Sequence, residues 1–140
     1  MEDVQLTIET EPSPGDIEAL GDGLGEHALP FTGSAGFHPL TVLARDRDGT
    51  LVGGVHGQIN WTWLHISLFW VSAELRRRGF GSRLLRAIED AAVARGCLRA
   101  HLDTFSYQAR PFYERHGYTV FATLEEYPPG HRRLFMQKTL

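Results

Sequence analysis

The stretch RRRGFGSRLL, residues 76–85, sets three arginines beside two glycines and then becomes apolar. Glycines leave backbone N–H groups accessible, and several such groups at a helix N-terminus bind oxyanions. Arginine side chains add ionic contacts to phosphate oxygens. The spacing R-x-x-G-x-G is neither that of a P-loop nor the dinucleotide-binding G-x-G-x-x-G. It predicts a phosphate cradle or, as the simpler alternative, a turn loosened by glycine.

Periodicity predicts the elements that position this stretch. The apolar run 64–71 is typical of a buried strand, and apolar residues four apart between Phe80 and Ala92 form one stripe of a helix. Gly96 would end that helix in a left-handed conformation. Residues 98–105 alternate with period two and predict the next strand. A strand-helix-strand unit runs parallel, so the glycines lie where a buried strand passes into a helix.

The other segments predict antiparallel hairpins and weaker helices. Residues 4–10 predict a first strand, Asp16 is a candidate N-cap for a glycine-interrupted helix, and residues 29–39 a long loop. Asp48-Gly49 predicts a hairpin turn. Near the C-terminus we expect a short helix, QARPFYERH, and two strands, YTVFATLEE and HRRLFMQKTL, around the turn YPPG. The fold class is therefore α/β, with a mixed, mostly antiparallel sheet and flanking helices, in one domain over residues 1–140.

Composition excludes several classes of protein. No apolar window is long enough to cross a membrane, and the acidic N-terminus lacks the features of a signal peptide, so we expect a cytoplasmic protein without a membrane partner. A single cysteine, Cys97, permits no internal disulfide, and the histidines lack ligand spacing, so no metal is expected. The net charge of −3 disfavours nucleic acid. The charge is uneven, because residues 1–44 contain carboxylates but no lysine or arginine.

Two segments resemble one enzyme family. VSAELRRRGFGSRLL is similar to the pyrophosphate-binding signature of the GNAT superfamily of N-acetyltransferases, and SYQARPFYERHGY to its second segment, with an Ala, a Tyr and a Gly-aromatic pair. The order of elements matches over nearly the whole chain. The resemblance implies acetyl-CoA as co-substrate, and it implies that the two parallel central strands splay apart to admit the pantetheine arm.

The same resemblance implies which residues hold acetyl-CoA. The backbone N–H of Val71 would polarise the thioester carbonyl, and Ser106 stands where many members have an asparagine. A helix N-cap is the alternative role for Ser106. Pyrophosphate contacts would come from the backbone amides of Arg77, Arg78, Gly79, Phe80 and Gly81 with Ser82, while Arg76, Phe69, Ala109 and Phe112 complete the implied donor site.

Tyr113 stands at the position of the family's general acid. A phenol with a reference pKa near ~10 is protonated at neutral pH and can give its proton to the leaving CoA thiolate. The alternative role is that of a core aromatic whose hydroxyl has a hydrogen-bond partner.

The base that accepts a proton from the acceptor amine is left open by the sequence. His65 is the first candidate, because an imidazole titrates near neutrality. Asp103 on the next strand, and then Glu125 and Glu126, are alternatives. His101 shares the polar face of its strand with Asp103, so these two side chains would pair instead.

These observations lead to the hypothesis of an N-acetyltransferase that forms a ternary complex and acetylates a primary amine of a small molecule or peptide directly. The acidic N-terminal third, with the loop 29–39, would form the acceptor side and favour a cationic amine. Two alternatives are a non-catalytic acyl-CoA-binding or sensing module and a nucleic-acid-binding domain that uses Arg76–Arg83. Exposed sheet edges at the C-terminal hairpin allow a homodimer.

Overall fold

A six-stranded sheet carries most of the chain from His38 onward. Its spatial order is β1-β2-β3-β4-β6-β5, and among the described strands β3 and β4 are the one parallel pair. The predicted mixed, mostly antiparallel sheet is therefore confirmed. The strands are β1 (His38–Arg45), β2 (Leu51–Asn60), β3 (Trp63–Val71), β4 (Arg99–Phe105), β5 (Thr119–Glu125) and β6 (Arg132–Thr139).

The computed structural model describes residues 3–34 and 36–140, in two units, Met1–Ala35 and Gly36–Leu140. Helix α1 (Pro14–Thr32) belongs to the first unit, and α2 (Phe80–Ala94) and α3 (Arg110–Arg115) belong to the second. Helix α2 lies between β3 and β4 along the chain, and Gly96 follows it with φ 92°, as predicted.

Three predictions for the N-terminal region are wrong in part. Residues 4–10 form no strand, because no described strand pairs with them and Ile8 is fully exposed. The weak helix is longer than expected, and its N-cap is Ser13, whose hydroxyl accepts the N–H of Asp16 at 3.2 Å. Since α1 continues through Pro30 to Thr32, the predicted loop 29–39 is reduced to residues 33–37, of which Ala35 lies outside the described residues.

The β1–β2 hairpin is confirmed, although its turn differs in one detail. Gly49 has the predicted positive φ, 81°, whereas Asp48 is not among the residues with positive φ. The Asp46 carboxylate instead accepts the N–H groups of Asp48 at 2.9 Å and Thr50 at 3.0 Å. A side-chain acceptor at the start of the turn thus replaces a second left-handed residue.

The core lies between α2 and one face of the sheet. Leu85 and Ile88 of α2 are fully buried, as are Leu64 of β3 and Ala100 of β4. On β4 the buried residues alternate with half-buried ones, as the period-two pattern predicts. The half-buried residues His101, Asp103 and Phe105 therefore lie on the face opposite α2.

The two parallel strands stop pairing halfway along β3. Their ladder runs from Trp63 beside Arg99 to Ile66 beside Leu102 and ends there. The next residue, Ser67, is an extra residue in the β2–β3 ladder, because Gly57 pairs with Ile66 and His56 pairs with Leu68. A bulge of this kind bends its strand and increases the local twist. Beyond Ser67, β3 keeps its pairing with β2 but leaves β4, which opens a gap in the middle of the sheet.

Gly57 is necessary for this bulge. A Cβ at this position would overlap the carbonyl oxygen of His65 on the adjacent strand. Replacement by alanine therefore has to displace β2 from β3 at the point where the gap begins.

We expect Gly57→Ala to lower the free energy of unfolding by about 1–3 kcal/mol, as overpacking does. Urea unfolding measures the change. The matched control is Gly25→Ala in α1, where no atom lies within 4 Å of the added Cβ and where alanine raises helix stability by up to ~1 kcal/mol. Equal unfolding midpoints for the two variants would contradict the close approach.

Candidate active site

A cavity of about 490 Å³ lies where β3 ends and α2 begins. It brings together most of the residues that the sequence predicted for donor binding. Leu75 and Arg115 also line it and were not predicted. The predicted residues that line it are Phe69, Val71, Arg76, Arg77, Gly79, Gly81, Ser82, Ala109 and Phe112, together with Tyr113.

The backbone at the entrance of this cavity has the geometry of an anion site. Arg77 and Gly79 adopt left-handed conformations, with φ 61° and 82°, and alternating conformations of this kind point successive N–H groups to one side. Within the described chain, no hydrogen bond uses the backbone N–H groups of residues 77–82, and the first paired amide is Arg83, which donates to Gly79 at 3.1 Å. This arrangement fits a diphosphate, because it combines six consecutive N–H donors with the positive end of the α2 dipole and with the charges of nearby arginines.

Three residues predicted for donor binding do not line this cavity. The ring of Phe80 faces a different cavity on the other side of the start of α2, and the guanidinium of Arg78 lies 5.9 Å from its centroid. Their predicted contribution is that of backbone amides, which the side-chain positions leave unaffected. The third residue is Ser106.

Ser106 connects the end of β4 to the β5–β6 loop. Its hydroxyl accepts the N–H of Arg132 at 3.0 Å and lies 3.3 Å from Nδ1 of His131, and its own N–H donates to Arg132 at 2.9 Å. The predicted N-cap role is wrong, because α3 starts at Arg110 with Ala109 as its cap. The turn before α3 is closed instead by Gln108, whose Oε1 accepts the N–H of Phe105 at 3.2 Å.

The gap between β3 and β4 exposes backbone groups of β3. Ser72 donates its N–H to Val52 of β2 at 2.9 Å. Since groups alternate in an antiparallel ladder, the N–H and C=O of Val71 and Phe69 point away from β2, toward the gap. Consistent with this direction, Nε of Arg76 donates to the carbonyl of Val71 at 3.2 Å.

Tyr113 lies between the gap and the cavity of about 490 Å³. We call the latter the donor cavity, after the predicted role of its lining residues. Tyr113 lines both the donor cavity and a second cavity of about 320 Å³, which residues 66–69 of β3 and 102–105 of β4 enclose. Its ring packs 6.2 Å from Phe69 and 5.8 Å from Tyr118. Burial, with a smaller effect of the Asp103 charge, raises the pKa of Tyr113 to about 12. A phenol with this pKa is protonated at neutral pH, and among the described residues its hydroxyl makes no hydrogen bond, so it is free to donate one.

Three of the candidate bases, His65, Glu125 and Glu126, line neither the donor cavity nor the gap. The rings of His65 and His101 stack at 4.5 Å on the face opposite α2, and neither ring lines the donor cavity or the gap. Burial and the neighbouring His65 lower the pKa of His101, although Asp103 raises it. Glu125 ends β5 and Glu126 follows it; neither lines one of the two cavities, and the Glu126 carboxylate accepts the N–H of Gly130 at 3.1 Å.

Asp103 lines the gap, but its carboxylate is occupied. Nε and Nη2 of Arg133 donate to its two oxygens at 2.9 Å each. The expected pairing with His101 is therefore wrong, because the adjacent strand β6 supplies a bidentate partner. No local pattern predicts this pair, since the two residues are 30 positions apart in the sequence.

A partly buried charge cluster connects α2 with β6 and with Tyr118, which follows α3. Oε2 of Glu89 accepts the hydroxyl of Tyr118 at 2.8 Å, and Oε1 accepts Nζ of Lys138 at 2.9 Å. Ser82 and His116 make a second connection, 2.9 Å between Oγ and Nε2, and burial lowers the pKa of His116. These contacts fix the start of α2 against the end of α3, so the donor cavity has a rigid wall.

Neither a membrane-spanning helix nor a metal-binding cluster is present among the described residues. Over residues 3–34 and 36–140, no helix combines the length and apolar character needed to cross a membrane. No group of three or more His, Cys, Asp or Glu side chains in this part of the chain is arranged to hold a metal ion.

Comparison with known proteins identifies similar chains. The sequence profile of the acetyltransferase (GNAT) family matches residues 8–118. Blasticidin-S acetyltransferase from Streptomyces morookaense is 45% identical over 83 residues, which are 59% of this chain and 61% of that protein's length. A crystal structure of an acetyltransferase from Bacillus cereus superposes with a TM-score of 0.86 at 29% identity, over 96% of this chain and 98% of the other. An aminoglycoside 6'-N-acetyltransferase, solved in complex with coenzyme A, shares the fold, with a TM-score of 0.64 at 21% identity over 72% of each chain.

We expect Glu89→Gln to lower the free energy of unfolding by about 2 kcal/mol, the scale of a lost hydrogen bond to a charged group. Glu114→Gln is the control, because the Arg110–Glu114 pair is 3.3 Å long and both side chains are nearly half exposed. An exposed pair of this kind contributes less than ~1 kcal/mol. Thermal and urea unfolding of both variants measure the difference, and equal stability would show that the cluster is not stabilising.

Proposed function

The chain belongs to the GNAT family of acetyl-CoA-dependent N-acetyltransferases, and we propose that it transfers the acetyl group directly to a primary amine of a small molecule. The observation that carries this proposal is the row of six unpaired N–H groups at residues 77–82, next to the gap between β3 and β4. Blasticidin-S acetyltransferase and aminoglycoside 6'-N-acetyltransferase act, by their names, on small molecules. We therefore favour a small-molecule acceptor over a peptide.

In this proposal, the residues at the start of α2 bind the donor. The amides of residues 77–82 hold the diphosphate of acetyl-CoA, and Arg76, Arg77 and Arg115 at the rim of the cavity neutralise its charge. The pantetheine arm enters the gap beside the free edge of β3. There the N–H of Val71 stabilises negative charge on the thioester oxygen. Bound coenzyme supplies the activated acetyl group, and the protein orients it.

Tyr113 acts on the leaving group in this proposal. The acceptor nitrogen forms a C–N bond as the C–S bond breaks, and the Tyr113 hydroxyl donates a hydrogen bond to the sulfur. A phenol with a pKa of about 12 is a weaker acid than a thiol, for which ~8.5 is typical. Complete transfer of its proton therefore has to be matched by a proton returning from the acceptor nitrogen. Tyr113 thus stabilises the developing thiolate and carries the proton between the two products.

His65 remains the predicted base for the acceptor amine, where it would take the proton that the ammonium group has to lose before its nitrogen can attack. The proton that Tyr113 receives leaves the nitrogen afterwards, as the C–N bond forms. The His65 ring lines neither cavity, so it would act through a water molecule. Asp103 is a weaker candidate because Arg133 occupies both of its oxygens. Cys97 does not support a covalent intermediate, since it lies buried beyond the other end of α2 and burial raises the pKa of its thiol.

The extent of the domain belongs to the same proposal. The family match spans parts of both units, which supports a single acetyltransferase domain over residues 1–140. The homodimer, the cytoplasmic location and the lack of nucleic-acid and membrane partners stay predictions.

We expect Gly79→Glu to abolish acetyl-CoA binding, because a carboxylate would lie among the amides that hold the diphosphate. Isothermal titration calorimetry measures the affinity. Gly96→Glu at the other end of α2 is the matched control, since both glycines have positive φ, 82° and 92°, and no atom lies within 4 Å of either added Cβ. Backbone strain is thus similar in the two variants. Unchanged affinity for Gly79→Glu would rule out the cradle.

We expect Tyr113→Phe to lower kcat by about 10²-fold, the lower end of the range for a positioned proton donor. The affinity for acetyl-CoA should stay within about twofold, since the ring contacts remain. Release of free thiol measures the rate. Because burial raises the pKa of Tyr113 to about 12, the wild type should lose no activity through this group between pH 7 and about pH 10. Wild-type kcat in Tyr113→Phe would refute the proposed role of the Tyr113 hydroxyl in the reaction.

A further inference from the structure

Four aromatic side chains lie together where β4 ends and where the β5–β6 loop returns to β6. Phe105 and Tyr107 stack at 5.5 Å with an angle of 12° between their planes, and His131 meets Tyr107 edge-on at 5.0 Å. Tyr127 lies 5.9 Å from Phe105. We call Phe105, Tyr107, Tyr127 and His131 the aromatic wall. The mechanism proposed above uses none of its members.

The aromatic wall starts at the gap through which the acetyl group would be delivered. Phe105, Asp103 and Tyr113 all line the cavity of about 320 Å³ between β3 and β4, which we call the gap cavity. Because side chains alternate along a strand, Asp103 and Phe105 lie on the same face of the sheet, opposite α2. The donor cavity is lined from α2 and α3. The gap therefore opens on two faces of the sheet. The donor would enter from the face that carries α2 and α3, and the aromatic wall lies at the opening on the opposite face.

Arg133 of β6 holds the wall in place from behind. Its guanidinium binds Asp103 through two donors, and Nη1 donates to the hydroxyl of Tyr127 at 3.0 Å. The same group lies 5.8 Å from the Phe105 centroid and 5.0 Å from that of Tyr127. Asp103 neutralises the Arg133 charge, so the cluster is rigid and close to neutral. Tyr107 is nonetheless 56% exposed and Tyr127 44%, which leaves flat aromatic surface available to a ligand.

We propose that the aromatic wall binds the acceptor by stacking, and that the acceptor is an amine attached to a planar conjugated ring. This inference rests on the proposed function and specifies its substrate class. A polycationic acceptor would need free carboxylates, but among the described residues the one carboxylate that lines the gap cavity is that of Asp103, which is paired with Arg133. A planar ring instead matches the shape and the neutrality of the wall, because stacked aromatic pairs add to the energy of burial.

The test compares 2-phenylethylamine with 2-cyclohexylethylamine, which share the amine and the linker and differ in having a flat or a puckered ring. With acetyl-CoA, free-thiol release gives kcat/KM for each amine, and calorimetry gives its affinity. We expect the planar amine to have kcat/KM at least about fivefold higher. Tyr107→Leu should reduce this ratio to about one without changing the affinity for acetyl-CoA.

Trp61→Leu is the matched control, because Trp61 is 54% exposed and lies in the turn before β3, at the opposite end of that strand from the gap. It should keep the wild-type ratio. A ratio near one in the wild type, or one that Tyr107→Leu leaves unchanged, would overturn the inference. So would the absence of binding and turnover with both amines.

The two proposals fail in different ways. If 2-phenylethylamine binds in a Tyr107-dependent manner but no thiol is released, the aromatic wall is supported and acetyl transfer to this class of amine is refuted. If a linear amine such as spermidine releases thiol efficiently while neither ring amine does, acetyl transfer is supported and the aromatic wall is refuted.

Discussion

One additional residue in β3, Ser67, determines where the sheet of the second unit opens and which side chains line the opening. Ser67 interrupts the β2–β3 ladder, and the parallel pairing with β4 ends at the residue before it. The bulge also reverses which side chains face the helices. Leu64 and Ile66 are buried before it, whereas Phe69 and Val71 line the donor cavity after it, and Leu68 and Trp70 are exposed instead. The gap, the direction of the Val71 backbone and the position of the donor cavity all follow from this change, and Gly57 provides the room for it.

Charged side chains fix the surroundings of the gap by pairing rather than by contact with solvent. Glu89 connects α2 to Tyr118 and Lys138 on the side of the helices. Asp103 and Arg133 make the corresponding connection on the other face of the sheet. A buried or half-buried charge needs a partner to offset its lost hydration. Each pair therefore holds elements that are distant in sequence, and Tyr113 lies between the two pairs.

The sequence predicted the elements whose signal is local and left out those that depend on distant partners. Periodicity predicted α2, β3 and β4, and the glycines beside the arginines predicted the turn at the start of α2, where Arg77 and Gly79 have positive φ. The stretch at residues 4–10 has the alternation of a strand but no neighbour among the described residues. Neither the Asp103–Arg133 pair nor the bulge at Ser67 could be predicted, since a period-two pattern does not show where a strand gains a residue. Composition predicts that the run LHISLFWV is buried throughout, whereas the side chains of its second half change face.

The position of the gap has a kinetic consequence. The donor cavity lies on the side of α2 and α3, and Asp103 and Phe105 lie on the other face, so the sheet separates two compartments that communicate through one opening. If donor and acceptor occupy opposite compartments, neither has to leave before the other can exchange. Steady-state kinetics would then follow a random order of addition, and coenzyme A would compete with acetyl-CoA but not with the amine.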